Sequence, residues 1–306
     1  MKIEKRHYIF GIVVLLANII SGTIISSVNA RPLIFGRVHD DPVRSIRDRQ
    51  EFVDYFSNKL KAEGIEGGRI VVVEKMSQLA EALREGKIDI FHDSVVPVMV
   101  MSKQVGAVPI LRQWKYGEPD YEGVIVVRKD SGINALKDLY GKVIAFEEPH
   151  STSASVLPRM LFAEKKLKAV QVRSKADAKP GQIGFFHGND GNSINLLVTD
   201  RSDASVSTLR EIDRLKPEVR EKLKILAKTD SVPRQLIAVR KDLDVNLIKA
   251  IKQVLIRMDE SAEGRGVLTR QQNTSKIDEI PEGSLKQLKH IEDFVYSTLG
   301  KEIDSW

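Results

Sequence analysis

Short apolar runs alternate with amphipathic stretches through the first hundred residues of the chain. The runs Leu33–Val38, Ile70–Val73 and Ile88–Phe91 are bounded by polar residues and glycines, which predicts three buried strands. The apolar residues between these runs recur at helical spacing, namely Phe52, Tyr55, Phe56 and Leu60, then Met76, Leu79, Ala80 and Leu83. Strands that alternate with helices in this way predict an α/β fold with a parallel or mixed sheet and helices on its faces.

The second half of the chain repeats the alternation. Its apolar runs predict further strands, at Gly123–Val127, Val143–Phe146, Ile183–Phe186 and Asp203–Val206. The stretches Leu83 to Asp89 and Leu197 to Asp203 share one order, a helix, a polar turn and an acidic residue that opens a strand. This similarity predicts one βαβ module in each half and therefore two similar lobes that face each other.

Two segments are candidates for the connections between these lobes. The first is extended and aromatic and runs from Trp114 to Tyr121, just before a strongly apolar strand. The second lies between the predicted strands Leu223–Leu226 and Leu236–Val239. We therefore predict a discontinuous first lobe, made of residues 31–121 plus 234–306, and a second lobe of residues 122–233, joined by two hinge crossings.

Polar loops follow the predicted strands of the first half. In open α/β sheets, ligands bind beyond the carboxyl ends of the strands. The loops His39 to Asp41 and His92 to Ser94 occupy such positions and are candidate ligand loops, although solvated loop residues are equally compatible with the pattern.

The stretch from Phe146 to Ala154 carries three consecutive hydroxyl residues, Ser151, Thr152 and Ser153, where a buried strand ends and a helix begins. The first amides of a helix lack partners inside the helix and carry partial positive charge, so hydroxyls placed there can form a cradle for a small oxyanion. The alternative is that Ser151 is an ordinary N-cap. Pro158 interrupts the predicted helix, so either the helix kinks there or residues 151–157 form a separate tight turn.

The N-terminal segment has the anatomy of a secretory signal peptide. A basic start is followed by an uncharged apolar run, Tyr8 to Ile25, and by small residues at Val28 and Ala30. We predict cleavage after Ala30, so that residues 1–30 are a signal peptide and the mature protein is periplasmic. An uncleaved membrane anchor is the alternative, because the run comes close to the length that spans a bilayer.

Composition excludes several classes of site. The chain has no cysteine, so a lipid anchor on cysteine, a disulfide and a thiolate metal site are all excluded. The net charge of +6 falls to +4 once the three basic residues and one acidic residue of positions 1–30 are removed. Because basic and acidic residues are interspersed, we expect no nucleic-acid partner, whereas the mild positive balance suits an anionic ligand.

Longer blocks of sequence resemble the type II periplasmic solute-binding proteins of ABC transporters, in particular the family that binds phosphate, phosphite and phosphonate. The blocks are Tyr121–Ile133, Leu136–Phe146, Ser151–Ser153 and Pro158. The resemblance implies the two-lobe type II periplasmic-binding-protein fold, each lobe a mixed sheet flanked by helices. It also implies that the Ser-Thr-Ser turn of the second lobe holds the anion, with Asp93 and Ser94 contributed by the first lobe and Tyr121 lying near the hinge.

Two departures from the family pattern affect ligand identity. Ala154 stands where the family commonly has glycine. The phosphonate binders carry a histidine before the later helix, and its place falls at Asp190, with Asn192 nearby. An ionised Asp190 would repel a dianion, so it needs a protonated ligand oxygen, a raised pKa or a cationic ligand group. We expect Asp190 and Asn192 to set specificity, and an aminophosphonate would satisfy both features.

These observations predict a monomeric binding protein that captures a small oxyanion and delivers it to an ABC permease in the inner membrane. A periplasmic sensor that feeds a membrane kinase or chemoreceptor is the alternative, because its soluble fold would be the same. We expect no enzymatic activity and no cofactor. His92, Asp93, His150 and His187 show no metal-ligand spacing, and no catalytic or phosphate-loop motif occurs in the sequence.

Overall fold

A computed structural model describes residues 30–188, 192–303 and 306, so the predicted signal peptide lies almost wholly outside the described residues. The strands are β1 Arg31–Val38, β2 Ile65–Val73, β3 Ile90–Asp93, β4 Val108–Gln113, β5 Asp120–Tyr121, β6 Val124–Arg128, β7 Val143–Phe146, β8 Ala169–Gln171, β9 Ile183–His187, β10 Ala204–Ser207, β11 Leu223–Lys228, β12 Val232–Pro233, β13 Gln235–Val239 and β14 Ile277–Asp278. The α-helices are α1 Pro42–Arg47, α2 Gln50–Asn58, α3 Met76–Arg84, α4 Val95–Val105, α5 Leu157–Glu164, α6 Ser193–Val198, α7 Leu209–Asp213, α8 Pro217–Arg220, α9 Val245–Ile256, α10 Ala262–Arg270, α11 Glu282–Thr298 and α12 Gly300–Ile303. None of the helices in these ranges combines the length and apolar character that crossing a bilayer requires.

The strands form two six-stranded mixed sheets, one in each lobe. The first sheet has the order β14-β4-β13-β3-β1-β2 and the second has the order β11-β6-β10-β7-β9-β8. Strands β1, β2 and β3 run parallel in the first sheet, as β7, β8, β9 and β10 do in the second. The two-lobe α/β fold predicted from the sequence is therefore confirmed.

The chain crosses between the sheets twice, and the two crossings pair with each other. Strands β5 and β12 form a separate antiparallel ribbon, with Tyr121 opposite Val232. The strand after each crossing, β6 or β13, then pairs antiparallel with both of its neighbours in the sheet that it enters. This double connection is the hinge.

Each lobe contains an aspartate at the same point of its module. Asp89 accepts a hydrogen bond from the Ile34 amide at 2.9 Å and Asp203 accepts one from the Val143 amide at 2.9 Å. The backbone amides of both aspartates donate back to Ile34 and Val143. The acidic residue that opens a strand in the sequence comparison therefore fastens equivalent parallel strands in both lobes, which supports the predicted repeat.

The sheets are buried on both faces, which explains why their strands are continuously apolar in the sequence. In β13, Leu236 and Ala238 pack into the cluster below α3, α4 and α11, whereas Ile237 and Val239 pack against α2, α9 and α10. The former cluster continues into the second lobe through Leu157 and Met160 at the start of α5. The lobes thus share apolar packing beside the hinge.

Three details differ from the sequence predictions. Strand β2 begins at Ile65, so Gly67 and Gly68 lie inside the strand instead of in the break before it. A Cβ at Gly68 would lie 2.4 Å from a side-chain methyl of Val53, so glycine permits the close approach of α2 to the strand. Strand β3 is displaced towards its carboxyl end and includes Asp93, while Asp203 precedes β10.

Candidate functional site

The two lobes enclose a cleft of about 840 Å³. Its walls come from the carboxyl ends of β1 and β3 in the first lobe, from the turn after β7 in the second lobe, and from the hinge strands. The position agrees with the general rule for open α/β sheets. Of the predicted site residues, the cleft is lined by Asp93, Ser94, Tyr121, Ser151, Thr152 and Ser153.

The hydroxyl turn of the second lobe opens a continuous helical segment. Residues Thr152–Val156 form one π-helical turn, and α5 begins at Leu157, with Pro158 in its first turn. Val156 and Leu157 both have α-helical backbone angles, so the turn continues directly into α5 and is not the separate tight turn that Pro158 allowed. The Ser151 hydroxyl accepts a hydrogen bond from the Ala154 amide at 3.4 Å, so Ser151 also acts as the cap. The N-cap interpretation of Ser151 is thus observed, and its role in an anion site stays a prediction.

A helix start from the first lobe meets this turn across the cleft. Helix α4 begins immediately after Ser94, and the Val96 amide in its first turn donates to the Thr152 hydroxyl at 2.9 Å. Thr152 is 1% exposed, whereas Ser153, at 7%, borders the cavity. The first turn of α4 and the π-helical turn are therefore in direct contact, and the partial positive charge of helix starts favours an anion beside them.

Tyr121 lies at the hinge end of the cleft and is nearly buried. Burial raises the pKa of its phenol, while Arg234 and hydrogen bonding with Ser153 and Thr152 oppose the rise. The Arg234 guanidinium lies 4.1 Å from the centre of the Tyr121 ring. The phenol remains protonated at neutral pH and can donate a hydrogen bond towards the hydroxyl turn.

Cationic side chains line the wall that the first lobe contributes. Arg37 donates to the Asp93 carboxylate at 3.1 Å, and Lys115 and Arg234 border the same cavity. Burial, followed by the charges of Arg234 and Arg37, lowers the pKa of Lys115 to about 8. Burial together with Arg37 lowers the pKa of Arg49, behind this wall, to about 10. The pairing with Arg37 keeps Asp93 from presenting a free negative charge to a ligand.

Carboxylates also line the opposite wall. Glu147, Glu148 and Glu211 border the cavity from the second lobe. Glu211 is engaged within its own lobe, since it accepts from the Ser207 hydroxyl at 2.8 Å and from the Thr208 amide at 3.1 Å. The cations Arg37, Lys115 and Arg234 border the cleft from the first-lobe side, where Asp40, Glu74 and Asp93 border it too.

Several predicted site residues lie elsewhere. Asp190 lies outside the described residues, so its role stays a prediction. Asn192 precedes α6, where its side chain accepts from the Asn195 amide group at 3.2 Å, and it does not border the cleft in the described part of the chain. His92, in the candidate loop of the first lobe, is buried and contacts Gln113 at 2.6 Å. His187 contacts the Ser155 hydroxyl at 3.2 Å, below the hydroxyl turn.

Three basic residues that border the cleft, Arg37, Lys115 and Arg234, were not among the predicted site residues. Arg37 is the last but one residue of β1, Lys115 is the second residue of the aromatic segment at the first crossing, and Arg234 lies between β12 and β13. The sequence signal that could have identified them is that each is a basic residue in or next to a predicted hinge segment or strand end. No group of three or more side chains suited to a metal ion occurs within residues 30–188, 192–303 and 306.

The chain is similar in sequence to curated proteins. The "Phosphonates-binding periplasmic protein" of Escherichia coli is 25% identical over 201 residues, which is 63% of this chain and 56% of that protein. The "Phosphate-import protein PhnD" of Mycolicibacterium smegmatis is 28% identical over 144 residues, 44% of this chain and 43% of that protein. The chain thus spans about half the length of the curated relatives it matches.

Solved structures share the fold at lower identity. "XAC2383 from Xanthomonas citri bound to chloride ion" superimposes with a TM-score of 0.82 at 22% identity, over 88% of this chain and 99% of that one. PhnD1 from Prochlorococcus marinus in complex with methylphosphonate gives a TM-score of 0.62 at 16% identity, over 88% and 98% of the two chains. A sequence model described as "ABC transporter, phosphonate, periplasmic substrate-binding protein" matches residues 37–281. The chain therefore belongs to the phosphonate family of periplasmic substrate-binding proteins of ABC transporters.

Proposed function

We propose that this protein is the solute-binding component of an ABC importer and that it captures a small oxyanion of the phosphonate, phosphite or phosphate type between its closing lobes. Ser151, Thr152 and Ser153 hold the anion from the second lobe. Ser94 and the first turn of α4 complete the site from the first lobe, and Tyr121 donates from the hinge.

One observation carries this proposal, namely the convergence of two helix starts, one from each lobe, at the Thr152 hydroxyl. A cationic ligand is disfavoured at such a point, because helix N-termini carry partial positive charge. An anion accepts from amides and hydroxyls of both lobes at once and thereby links them. Binding and lobe closure are coupled in this way, as a hinge mechanism requires.

The proposal has further parts. We assign residues 31–121 plus 234–306 to the first lobe and residues 122–233 to the second, with the membrane permease as the partner of the closed form. The protein acts in the periplasm as a monomer after removal of residues 1–30. It binds and releases its ligand unchanged and has no catalytic step.

Isothermal titration calorimetry of residues 31–306 tests the proposal. The ligands are phosphate, phosphite, methylphosphonate and 2-aminoethylphosphonate, with sulfate for comparison. We expect saturable binding of at least one phosphorus oxyanion and a matching rise in melting temperature, since ligand at 100 times its dissociation constant stabilises by about 2.7 kcal/mol. Absence of both heat and thermal shift with every ligand would overturn the proposal.

Paired variants localise the binding. Ser153→Ala removes a hydroxyl that borders the cleft and should weaken binding about tenfold or more, the value of one hydrogen bond to a charged group. Ser297→Ala removes an exposed hydroxyl of α11 and should bind as the unsubstituted protein does. Equal affinities of the two variants would show that the anion is held elsewhere.

A further inference from the structure

One cation in the cleft wall of the first lobe lacks an ion-pair partner among the described residues. Arg37 is paired with Asp93 at 3.1 Å, and Arg234 lies 3.3 Å from Glu118. The Lys115 ammonium has no carboxylate within ion-pair distance among the described residues. We call Arg37, Lys115 and Arg234 the cationic wall.

Without a bound ligand, these positive charges destabilise the folded protein. Lys115 is half-buried beside two guanidinium groups, which depresses the pKa of its ammonium. Arg234 is 8% exposed, and Arg49 behind the wall is 6% exposed with only a weak 3.4 Å bond to the Ser45 carbonyl. Buried cations without partners cost free energy unless an anion reaches them.

Tyr121 places the cationic wall next to the hydroxyl turn. Its phenol is close enough to Ser153 and Thr152 for them to lower its pKa, while its ring face lies 4.1 Å from the Arg234 guanidinium. The turn and the wall are therefore separated by about one aromatic ring. A single molecule that occupies the turn and extends along Tyr121 reaches the wall.

The size of the cleft leaves room for such a molecule. A methylphosphonate ion occupies the volume of a few waters, about 100 Å³ at ~30 Å³ per water. The cleft measures about 840 Å³. Glu147, Glu148 and Glu211 on the opposite wall would repel a second negative group and direct it towards the first lobe, while Asp40 and Glu74 lie exposed at the rim.

We propose that the preferred ligand is an organophosphorus anion with a second acidic group, and that this second group binds at the cationic wall. The phosphoryl group occupies the hydroxyl turn, so this inference rests on the proposed function. The second group is a carboxylate or a further phosphoryl group. It is joined to the first by a short linker that lies along Tyr121.

Calorimetry with matched ligands tests the second subsite. Phosphonoacetate and phosphonoacetamide have nearly the same shape, but only the former carries a carboxylate. We expect phosphonoacetate to bind at least tenfold more tightly than both phosphonoacetamide and methylphosphonate. In Lys115→Met this preference should fall several-fold, and Lys115→Arg should restore it.

The outcomes separate the two proposals. If methylphosphonate binds but phosphonoacetate is no tighter than phosphonoacetamide, the second subsite is overturned and the proposed function stands. If the preference exists and survives Lys115→Met unchanged, the second group lies elsewhere, and the inference is again wrong. Failure of all three ligands to bind would overturn the second subsite, whereas the proposed function is overturned only if phosphate, phosphite and 2-aminoethylphosphonate also fail to bind.

Discussion

Gly123, the first residue after the first hinge crossing, controls the position of the hydroxyl turn. A Cβ atom at this position would lie 2.1 Å from the backbone oxygen of Ser153, whereas ordinary contact begins at 3.4 Å. The Gly123 backbone cannot easily retreat, because its amide donates to the Thr229 hydroxyl and its carbonyl accepts from the Thr229 amide, both at 2.9 Å. Gly123→Ala must therefore displace the turn by about the difference, 1.3 Å.

The expected effect on binding follows from that displacement. Forcing a methyl group into a packed site costs about 1–3 kcal/mol of stability. A shift of more than 1 Å also breaks a hydrogen bond from the turn to the anion, and bonds to charged groups contribute about 1.5–3 kcal/mol each. We expect the dissociation constant for methylphosphonate to rise by about ten- to a hundredfold.

Calorimetric titration of Gly123→Ala and Gly283→Ala with methylphosphonate measures this change in the dissociation constant. Gly283 lies in the first turn of α11 with no heavy atom within 4 Å of its added Cβ, so its alanine variant should bind normally and be at least as stable. Melting temperatures and circular dichroism establish that both variants are folded. If Gly123→Ala folds and binds methylphosphonate as tightly as Gly283→Ala does, the turn does not hold the anion.

Three further substitutions test other parts of the account. Thr152→Val leaves the Val96 amide without its acceptor and should weaken methylphosphonate binding at least tenfold in calorimetry, whereas Thr152→Ser should bind nearly normally. Lys115→Met should raise the melting temperature at pH 7. This gain should shrink as pH rises from about 8 towards 10, because the Lys115 ammonium of the unsubstituted protein loses its proton over that range. An equal gain at all pH values would contradict the depressed pKa of Lys115. Asp203→Ala removes the acceptor of the Val143 amide and should lower the free energy of unfolding, measured by urea denaturation, by about 1–3 kcal/mol. Asp203→Asn should lower it less. Equal losses of stability in the two variants would show that this hydrogen bond is unimportant.

The fold was predictable because its main determinants are local in sequence. The apolar runs identify strands such as Val143–Phe146, and the repeated acidic residues Asp89 and Asp203 mark equivalent points of two modules. The extent of β2 was not predictable in this way. Gly67 and Gly68 are typical of a break, and only the packing of α2 against the strand explains glycine inside it.

Only the second-lobe side of the site was predictable, because its residues are consecutive in the sequence. Ser151, Thr152 and Ser153 stand together at a helix start, so local rules suffice to identify them. Arg37, Lys115 and Arg234 are far apart in the sequence, and it is the pairing of the two crossings that brings the wall together. The hydrogen bond from Val96 to Thr152 likewise depends on how one lobe meets the other.

A crystal structure of residues 31–306 with methylphosphonate tests the central claim most directly. The account predicts phosphonate oxygens within hydrogen-bonding distance of the Ser151–Ser153 turn and of the first turn of α4, with the methyl group directed along Tyr121. Phosphonate bound outside the interlobe cleft, or held in the cleft without contact to any of the three hydroxyl residues, would contradict it.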